Sequence, residues 1–205
     1  MRPESFRPPV ILEGRFVREV PLALAHRTAL WEAGSDPEVG RYMLNGPGST
    51  LEEMEALIAL LLHRQAEGTD LAFTTVRVDD GRPVGMTRFL HIDRENDSVE
   101  VGGTWLDRHC WRTPFNTESK YLMLRHAFDV EQAHRACLQT DRRNERSQRA
   151  IHRLGAVREA ELREDRILPS GAFRTSVIYS ILAREWPAVK RGLEQQLARP
   201  WKESV

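Results

Sequence analysis

Hydrophobic residues in the first third of the chain recur mainly at the spacing of helices. A segment of strand formers at 10–20 comes first, and LALAHRTALWEA then predicts a helix that ends at Gly34. After a loop rich in proline and glycine, apolar residues recur every three or four positions from Leu51 to about Gly68. This spacing predicts a second, longer helix.

The middle of the chain changes to the residue types and alternation of β-strands. The turn sequence DDG joins two strand-like runs, and a third run follows them. Gly102 and Gly103 interrupt the third run, and glycine inside a strand marks either a structural bulge or the close approach of a ligand. The runs predict an antiparallel meander of three strands, at 71–78, 82–92 and 98–106.

Helices and strands alternate after the meander, which is the pattern of parallel crossover connections. Helices are predicted at 116–132 and over NERSQRAIHRL, and an amphipathic helix closes the chain after REW. Such sheets bind ligands near the carboxyl ends of strands, where the topology switches. We therefore expect the ligand site at the end of the third run and at the two helix starts. The strands of this part are predicted at 134–140, 156–162 and 173–182.

Both of these helix starts have features of an anion-binding site. Free backbone N–H groups and the positive end of the helix dipole attract anions. In WRTPFNTESK, Arg112 precedes the turn, and Asn116 or Thr117 lies near the cap of the first helix. At the second helix, Asn144 is a candidate cap and Ser147 lies in the first turn. These features predict a ligand that carries a phosphate or pyrophosphate group.

The charge balance changes the interpretation of the arginines in and beside NERSQRAIHRL. Lys+Arg and Asp+Glu both number 30, so the formal net charge is +0. A protein that binds nucleic acid or an anionic membrane usually shows a basic excess. We expect most of these arginines to coat a solvated helix face, without direct nucleic-acid or membrane binding. A protein associated with RNA or the ribosome is the alternative.

Length and composition predict one domain over residues 1–205. The chain is 40% hydrophobic, which is enough for one buried core. Cys110 and Cys137 lack a CxxC spacing, and no apolar run is long enough for an export signal or a membrane span. These features predict a cytoplasmic protein. The histidines lack metal-ligand spacing and no GxSxG motif occurs, so neither a metal site nor a hydrolase is predicted.

The order of these motifs resembles that of the GNAT superfamily of N-acetyltransferases. VEVGGTWL is followed by WRTPFNTESKYLMLRHAF, by TDRRNERSQRAIHRLGAVREAELR and by VIYSIL. The most specific piece is N-x-x-S-x-x-x-I-x-x-L-G, from Asn144 to Gly155. The chain looks most similar to the branch that contains the ribosomal-protein-alanine N-acetyltransferases. The resemblance implies an α/β fold with a central mixed, mainly antiparallel sheet, a splayed pair of parallel strands and flanking helices.

The resemblance also implies acetyl-CoA as co-substrate, without a metal, in the cleft between the runs 98–106 and 134–140. The family's phosphate-binding turn usually reads Q/R-x-x-G-x-G/A, but Pro114 and Asn116 stand at its glycine positions here. Proline removes a donor. The change implies weaker cofactor binding, a shift of the pyrophosphate onto side chains such as Arg112, or a protein without catalysis. The implied cofactor-binding residues are Trp105, Leu106, Arg112, Thr113, Pro114, Phe115, Asn116, Thr117, Asn144 and Ser147.

Acetyl transfer requires a deprotonated amine, a polarised thioester carbonyl and a stabilised thiolate. Glu100 is the candidate base, with an exposed strand carboxylate as the structural alternative. Ser147 is the candidate partner of the thiolate, and Tyr179 is an alternative proton donor or a core tyrosine.

The predicted reaction is direct transfer to a primary amine without a covalent enzyme intermediate. A protein N-terminus, a polyamine, an amino acid and an aminoglycoside are the candidate acceptors, and the resemblance favours the first. A CoA-binding module without turnover is a further alternative. A homodimer through the last helix and Trp201 is also predicted.

Overall fold

The structure is a computed structural model that describes residues 5–7 and 10–200. Within these residues eight strands form one sheet. The strands are β1 (Leu12–Glu13), β2 (Val17–Pro21), β3 (Leu71–Arg77), β4 (Pro83–Asp93), β5 (Ser98–Leu106), β6 (Arg135–Asp141), β7 (Val157–Ile167) and β8 (Phe173–Leu182). The α-helices are α1 (Arg27–Ala33), α2 (Pro37–Gly40), α3 (Leu51–Ala66), α4 (Phe115–Arg125), α5 (Glu145–Arg153) and α6 (Trp186–Ala198).

The sheet has the order β1-β2-β3-β4-β5-β6-β8-β7. All neighbouring strands are antiparallel except β5 and β6, which are parallel. Their pairing runs only from Ser98 opposite Arg135 to Glu100 opposite Cys137, and beyond this point the two strands separate. The predicted mixed, mainly antiparallel sheet with a splayed parallel pair is confirmed, and β3, β4 and β5 form the predicted meander.

The prediction of successive parallel crossovers is correct for β5, α4 and β6 but wrong for the next unit. After α5 the chain forms β7, yet β8 lies between β6 and β7 and is antiparallel to both. A turn with Gly171 in the left-handed region, at φ 81°, lets β8 fold back into this place. Residue spacing shows that strands exist but does not determine their order in the sheet.

Two further expectations about local structure are corrected. The segment 10–20 is not one strand, because a turn at Gly14 separates β1 from β2. The Glu118 carboxylate of α4 holds this turn by accepting hydrogen bonds from the backbone N–H groups of Arg15, Phe16 and Val17, at 2.9, 2.6 and 2.8 Å. The predicted helix at 116–132 consists of α4 and a following π-helical turn at 126–130.

The sheet carries a hydrophobic layer on each face. One layer joins the sheet to α4, α5 and α6, and Phe73, Leu122 and Leu138 are almost fully buried in it. The other layer joins the sheet to α1 and α3, and it buries Leu30 and Ile58. Burial of each such side chain contributes about 1.5–3 kcal/mol.

The apolar face of α6 packs against its own chain. Trp186 is buried and stacks on Phe128, with 5.3 Å between the ring centroids, and Leu193 is also buried. Trp201, which was predicted to take part in a dimer, lies outside the described residues, and the dimer stays a prediction.

Candidate functional site

The separation of β5 from β6 opens a cleft of about 590 Å³. Its walls come from β5 beyond Glu100, from the turn that leads into α4, and from one face of α5. Eight of the ten residues predicted to bind the cofactor line it, whereas Pro114 and Phe115 do not. The eight are Trp105, Leu106, Arg112, Thr113, Asn116, Thr117, Asn144 and Ser147.

The two glycines of β5 form the predicted bulge. Gly103 has φ 57°, and the pairing between β4 and β5 shifts register beside it, between Met86 and Arg88. A Cβ on Gly103 would lie 2.7 Å from Nε of Arg88, so a side chain does not fit there. The bulge leaves both glycines in the wall of the cleft, where they expose backbone to a ligand.

The turn before α4 is shaped by side chains in place of glycines. Arg112 takes a left-handed backbone conformation, at φ 63°, which in a family-like turn would suit glycine. Thr113 Oγ1 donates to the carbonyl oxygen of Cys110 at 2.6 Å and accepts from the N–H of Phe115 at 3.3 Å. Pro114 is the N-cap and makes no side-chain cap. Asn116 and Thr117 of the first turn line the cleft, and no side chain caps the start of this helix.

The start of α5 is capped by its own side chain. Asn144 Oδ1 accepts a hydrogen bond from the N–H of Ser147 at 3.0 Å, and both residues line the cleft. The amide nitrogen of Asn144 and the hydroxyl of Ser147 are not used by this cap.

Two arginines in and beside α5 have carboxylate partners, which is typical of a solvated helix face. Arg143 pairs with Asp141 at 2.7 Å, and Arg149 pairs with Glu145 at 3.0 Å. Arg146 differs, because its guanidinium lies 3.3 Å from the ring centroid of Trp111 at the edge of the cleft. This stack joins α5 to the turn before α4 across the cleft.

Glu100, the predicted base, is buried where β5 and β6 begin to separate. Its Oε2 accepts hydrogen bonds from Gln139 Nε2 at 2.7 Å and from His91 Nδ1 at 3.0 Å. Its Oε1 lies 3.0 Å from the position that a Cβ of Gly102 would occupy. Glu100 itself does not line the cleft, but its neighbours Gly102 and Gln139 do.

The two candidate proton donors occupy different places. Ser147 lies in the cleft wall. Tyr179 is buried in the core under α5, does not line the cleft, and donates from its hydroxyl to Gln148 Oε1 at 3.3 Å. Of the two interpretations of Tyr179, a proton donor and a core tyrosine, its buried position fits the core tyrosine.

Three residues near the cleft were absent from the predicted site: His91, Lys120 and Gln139. Lys120 is a buried residue of α4 that lines the cleft and donates to Thr104 Oγ1 and, at 3.4 Å, to Thr87 Oγ1. Burial lowers the pKa of its ammonium to about 8, against the attraction of Glu19 and Glu100. Lys120 lies about one helical turn after Asn116, so helical spacing places both residues on the same side of α4. The contacts of His91 and Gln139 with Glu100 depend on strand register, which the sequence does not reveal.

Neither cysteine has the surroundings of a reactive thiol. Burial raises the pKa of Cys110, which lines the cleft, and of Cys137 to about 11. In the part of the chain that the structure describes, no group of three or more His, Cys, Asp or Glu side chains could hold a metal ion. No helix of the described residues is long and apolar enough to cross a membrane.

Comparisons with known proteins agree with this geometry. The family model for the acetyltransferase (GNAT) domain matches residues 19–157. The uncharacterized N-acetyltransferase p20 of Bacillus licheniformis is 25% identical over 165 residues, which cover 80% of this chain and 92% of that protein.

Solved structures are similar over almost the whole chain. A T. thermophilus protein, provisionally described as an acetyltransferase, is 43% identical with a TM-score of 0.84, and 93% of this chain and 98% of that chain are covered. A GCN5-related N-acetyltransferase from Brucella melitensis is 27% identical with a TM-score of 0.86, over 94% of this chain and 87% of that one. These matches do not distinguish the ribosomal-protein-alanine branch, which stays a prediction.

Proposed function

Since the chain belongs to the GNAT acetyltransferase family and is an acetyl-CoA-dependent acyltransferase, we propose that it acetylates a primary amine by direct transfer. The observation that carries this proposal is the cleft between β5 and β6. The start of α4 and the bulged backbone of β5 line it, and the Glu100 carboxylate lies next to Gly102 of its wall.

The residues of the cleft fit acetyl-CoA. The amides of Asn116 and Thr117, together with the Arg112 side chain, would hold the pyrophosphate, because amides at a helix start and a guanidinium both suit phosphate oxygens. The backbone of β5 at Trp105 and Leu106 would hold the pantetheine arm. Pro114 lies outside the cleft wall, which supports binding through Arg112 and the remaining amides over a loss of binding.

Glu100 would accept the proton of the acceptor ammonium at Oε1, the carboxylate oxygen beside Gly102. The free amine nitrogen would then attack the thioester carbonyl carbon, so that a C–N bond forms and the C–S bond breaks. Acetyl-CoA supplies the acetyl group, and its sulfur leaves as a thiolate that takes up the proton that the attacking nitrogen loses. Ser147, in the cleft wall, would donate a hydrogen bond to the sulfur, whereas Tyr179 would first have to release Gln148.

A protein N-terminus is the acceptor that we propose, on the basis of the resemblance to N-terminal acetyltransferases. Val39 and Met43, in and after α2, form an apolar part of the cleft wall on the side of α1 and α3. This surface suits an acceptor that carries an apolar side chain next to its amine.

Release of the CoA thiol, measured with purified protein and acetyl-CoA, tests the function. The amines to compare are peptides that begin with Ala or Ser, spermidine, free amino acids and an aminoglycoside. We expect the peptides to be acetylated and Glu100→Gln to lose about 100-fold in kcat, as removal of a general base does. Titration calorimetry with acetyl-CoA, on the native chain and on the variant Asn144→Ala, Ser147→Ala, separates binding from turnover.

The outcomes distinguish the alternatives. Micromolar acetyl-CoA binding without thiol release for any amine would mean a CoA-binding module without turnover. Absence of acetyl-CoA binding, combined with RNA binding that weakens steeply with salt, would mean an RNA- or ribosome-associated protein.

A further inference from the structure

The two oxygens of the Glu100 carboxylate have different surroundings. Oε2 accepts both the His91 and the Gln139 hydrogen bonds, at 3.0 and 2.7 Å. Oε1 accepts no hydrogen bond from the described residues and lies beside Gly102 at the cleft. One oxygen is thus fixed by neighbours, while the other has no hydrogen-bond partner among the described residues. When Glu100 is ionised, Nδ1 of His91 must carry the hydrogen of this contact.

The backbone at His91 is distorted in a way that makes this contact. His91 has φ 50°, and the pairing of β4 with β5 shifts between Leu90 and Asp93. In a regular strand His91 would point to the face opposite Leu90, and Leu90 pairs with Glu100. A left-handed backbone is strained for a residue other than glycine, and such strain often occurs at functional sites. The distortion turns the His91 side chain toward the carboxylate.

His91 also remains accessible, since its side chain is 64% exposed while that of Glu100 is 8% exposed. The imidazole can therefore exchange protons with solvent, whereas the carboxylate behind it cannot do so freely. A buried carboxylate that is bonded to an exposed imidazole feels the charge of that imidazole strongly.

We propose that His91 is a positioning residue whose charge controls how readily Glu100 takes a proton from the acceptor amine. The proposal rests on the proposed role of Glu100 as base. A cationic His91 stabilises the Glu100 carboxylate and so lowers its affinity for the amine proton. A neutral His91 still donates its Nδ1 hydrogen bond and keeps the carboxylate in place, but it no longer opposes proton uptake.

The charged groups that face His91 set the pH at which this change occurs. The hydrogen bond to Glu100 of β5 is the largest cause that raises the pKa of His91 above 6.5, and burial opposes it. The charges of Glu100 and of Asp70, just before β3, raise this pKa further, and Arg166 of β7 lowers it. Base strength at Glu100 should therefore increase as the pH rises through a value above 6.5.

The first test follows the His91 imidazole directly by NMR titration of the native chain and of Glu100→Gln. We expect the His91 pKa to be clearly lower in the variant, because the carboxylate that raises it has been removed. Equal His91 pKa values in both proteins would overturn the proposal. This readout needs no acceptor and no turnover.

The second test compares kcat/KM of His91→Gln with that of the native chain as a function of pH, using the best peptide of the panel. Ionisation of the acceptor cancels in this ratio, because both enzymes use the same amine. We expect the ratio to be severalfold higher on the acid side of the His91 pKa than on the alkaline side. A ratio independent of pH refutes the proposal. His91→Asn is a second uncharged variant that tolerates the left-handed backbone better.

His63→Gln is the matched control, because His63 also contacts a glutamate, Glu67, at 3.5 Å, but lies on the exposed side of α3. Its ratio to the native chain should not vary with pH. If Glu100→Gln keeps native activity, the role of Glu100 as base fails. If Glu100→Gln is inactive and the His91 variants give a flat ratio, the inference about His91 fails by itself.

Discussion

The starts of α4 and α5 look similar in sequence, since each follows a strand and has arginine and asparagine nearby, but the structure uses them differently. The first turns of α4 are buried, and Pro114 caps them without a side-chain hydrogen bond. The first turn of α5 is more exposed, and the Asn144 side chain caps it. The amides of α4 thus remain for a ligand, whereas α5 offers the cleft mainly side chains.

This difference follows from where the two helices lie. Burial of α4 requires partners for every polar group in its first turns, and Glu118 and Lys120 obtain them from the turn before β2 and from β4 and β5. The amides at its start remain directed to the cleft, where a phosphate can satisfy them. The α5 helix is exposed along much of its length, and its Arg149 pairs with Glu145. Two helix starts with similar sequences are therefore expected to bind a ligand in different ways once their burial is known.

The largest expected effect is on the buried part of α4. Lys120→Met would leave Glu19, which is fully buried and whose pKa burial raises, without its nearby cation. Loss of this cation and of its hydrogen bonds to Thr87 and Thr104 typically costs about 1–3 kcal/mol of unfolding free energy, which urea denaturation measures. The double variant Glu19→Gln, Lys120→Met should recover most of the loss. Full stability of the single variant would show that the Lys120 charge does not stabilise Glu19.

The same lysine predicts a dependence of stability on pH. The folded pKa is about 8 and the ordinary value is 10.5, so between these values the unfolded chain binds more protons than the folded chain. The contribution of Lys120 to the unfolding free energy should therefore increase as the pH rises through this window. Urea denaturation across it should show that the native chain gains stability relative to Lys120→Met. A constant difference between the two proteins would contradict the lowered pKa.

Much of the fold could be predicted from residue spacing, but the order of the last strands could not. The residue types of β3, β4 and β5 indicate strands, and the period of the apolar residues indicates α3 and α5, which each bury one stripe. The insertion of β8 between β6 and β7 depends on contacts between distant strands, which no local pattern encodes.

The candidate site divides in the same way. The positions of Arg112, Asn116 and Ser147 in the cleft wall could be predicted, because they depend on a local turn or helix start. The contacts of His91 and Gln139 with Glu100 depend on strand register and on a distorted backbone at His91. The burial of Lys120 could not be predicted, because a charged residue on a helix is usually interpreted as exposed.

Arg112→Ala tests whether the turn before α4 binds the pyrophosphate. Loss of a charge-assisted hydrogen bond costs about 1.5–3 kcal/mol, which is roughly a 10- to 100-fold weaker affinity for acetyl-CoA by titration calorimetry. Arg142→Ala is the control, because Arg142 is exposed just before α5 and pairs with Glu161 at 3.4 Å. It should change the affinity by less than about threefold, as a surface pair does. Equal losses for the two variants would remove the distinction between the helix starts.

Asn144 allows its capping role to be separated from contact with the cofactor. Asn144→Ala should cost about 1 kcal/mol of stability, because the N–H of Ser147 loses its acceptor. Asn144→Asp keeps an acceptor for this cap and removes the amide donor. If the aspartate variant is stable but binds acetyl-CoA about 10-fold more weakly, a donor of Asn144 contacts the cofactor. Native affinity in the aspartate variant would limit Asn144 to capping α5.

The smallest effect is expected at the exposed face of α5. Arg149 pairs with Glu145 one turn earlier at 3.0 Å, and both side chains are largely exposed. Arg149→Ala should therefore cost at most about 0.5 kcal/mol of unfolding free energy. Arg149 also lies at the wall of the cleft, so the same variant shows whether α5 contributes a phosphate contact. We expect the acetyl-CoA affinity to fall by less than about threefold, with little change in its salt dependence, because screening weakens contacts made by exposed charges. A tenfold loss that disappears at high salt would make α5 a second anion contact, and the contrast with α4 would then be one of degree.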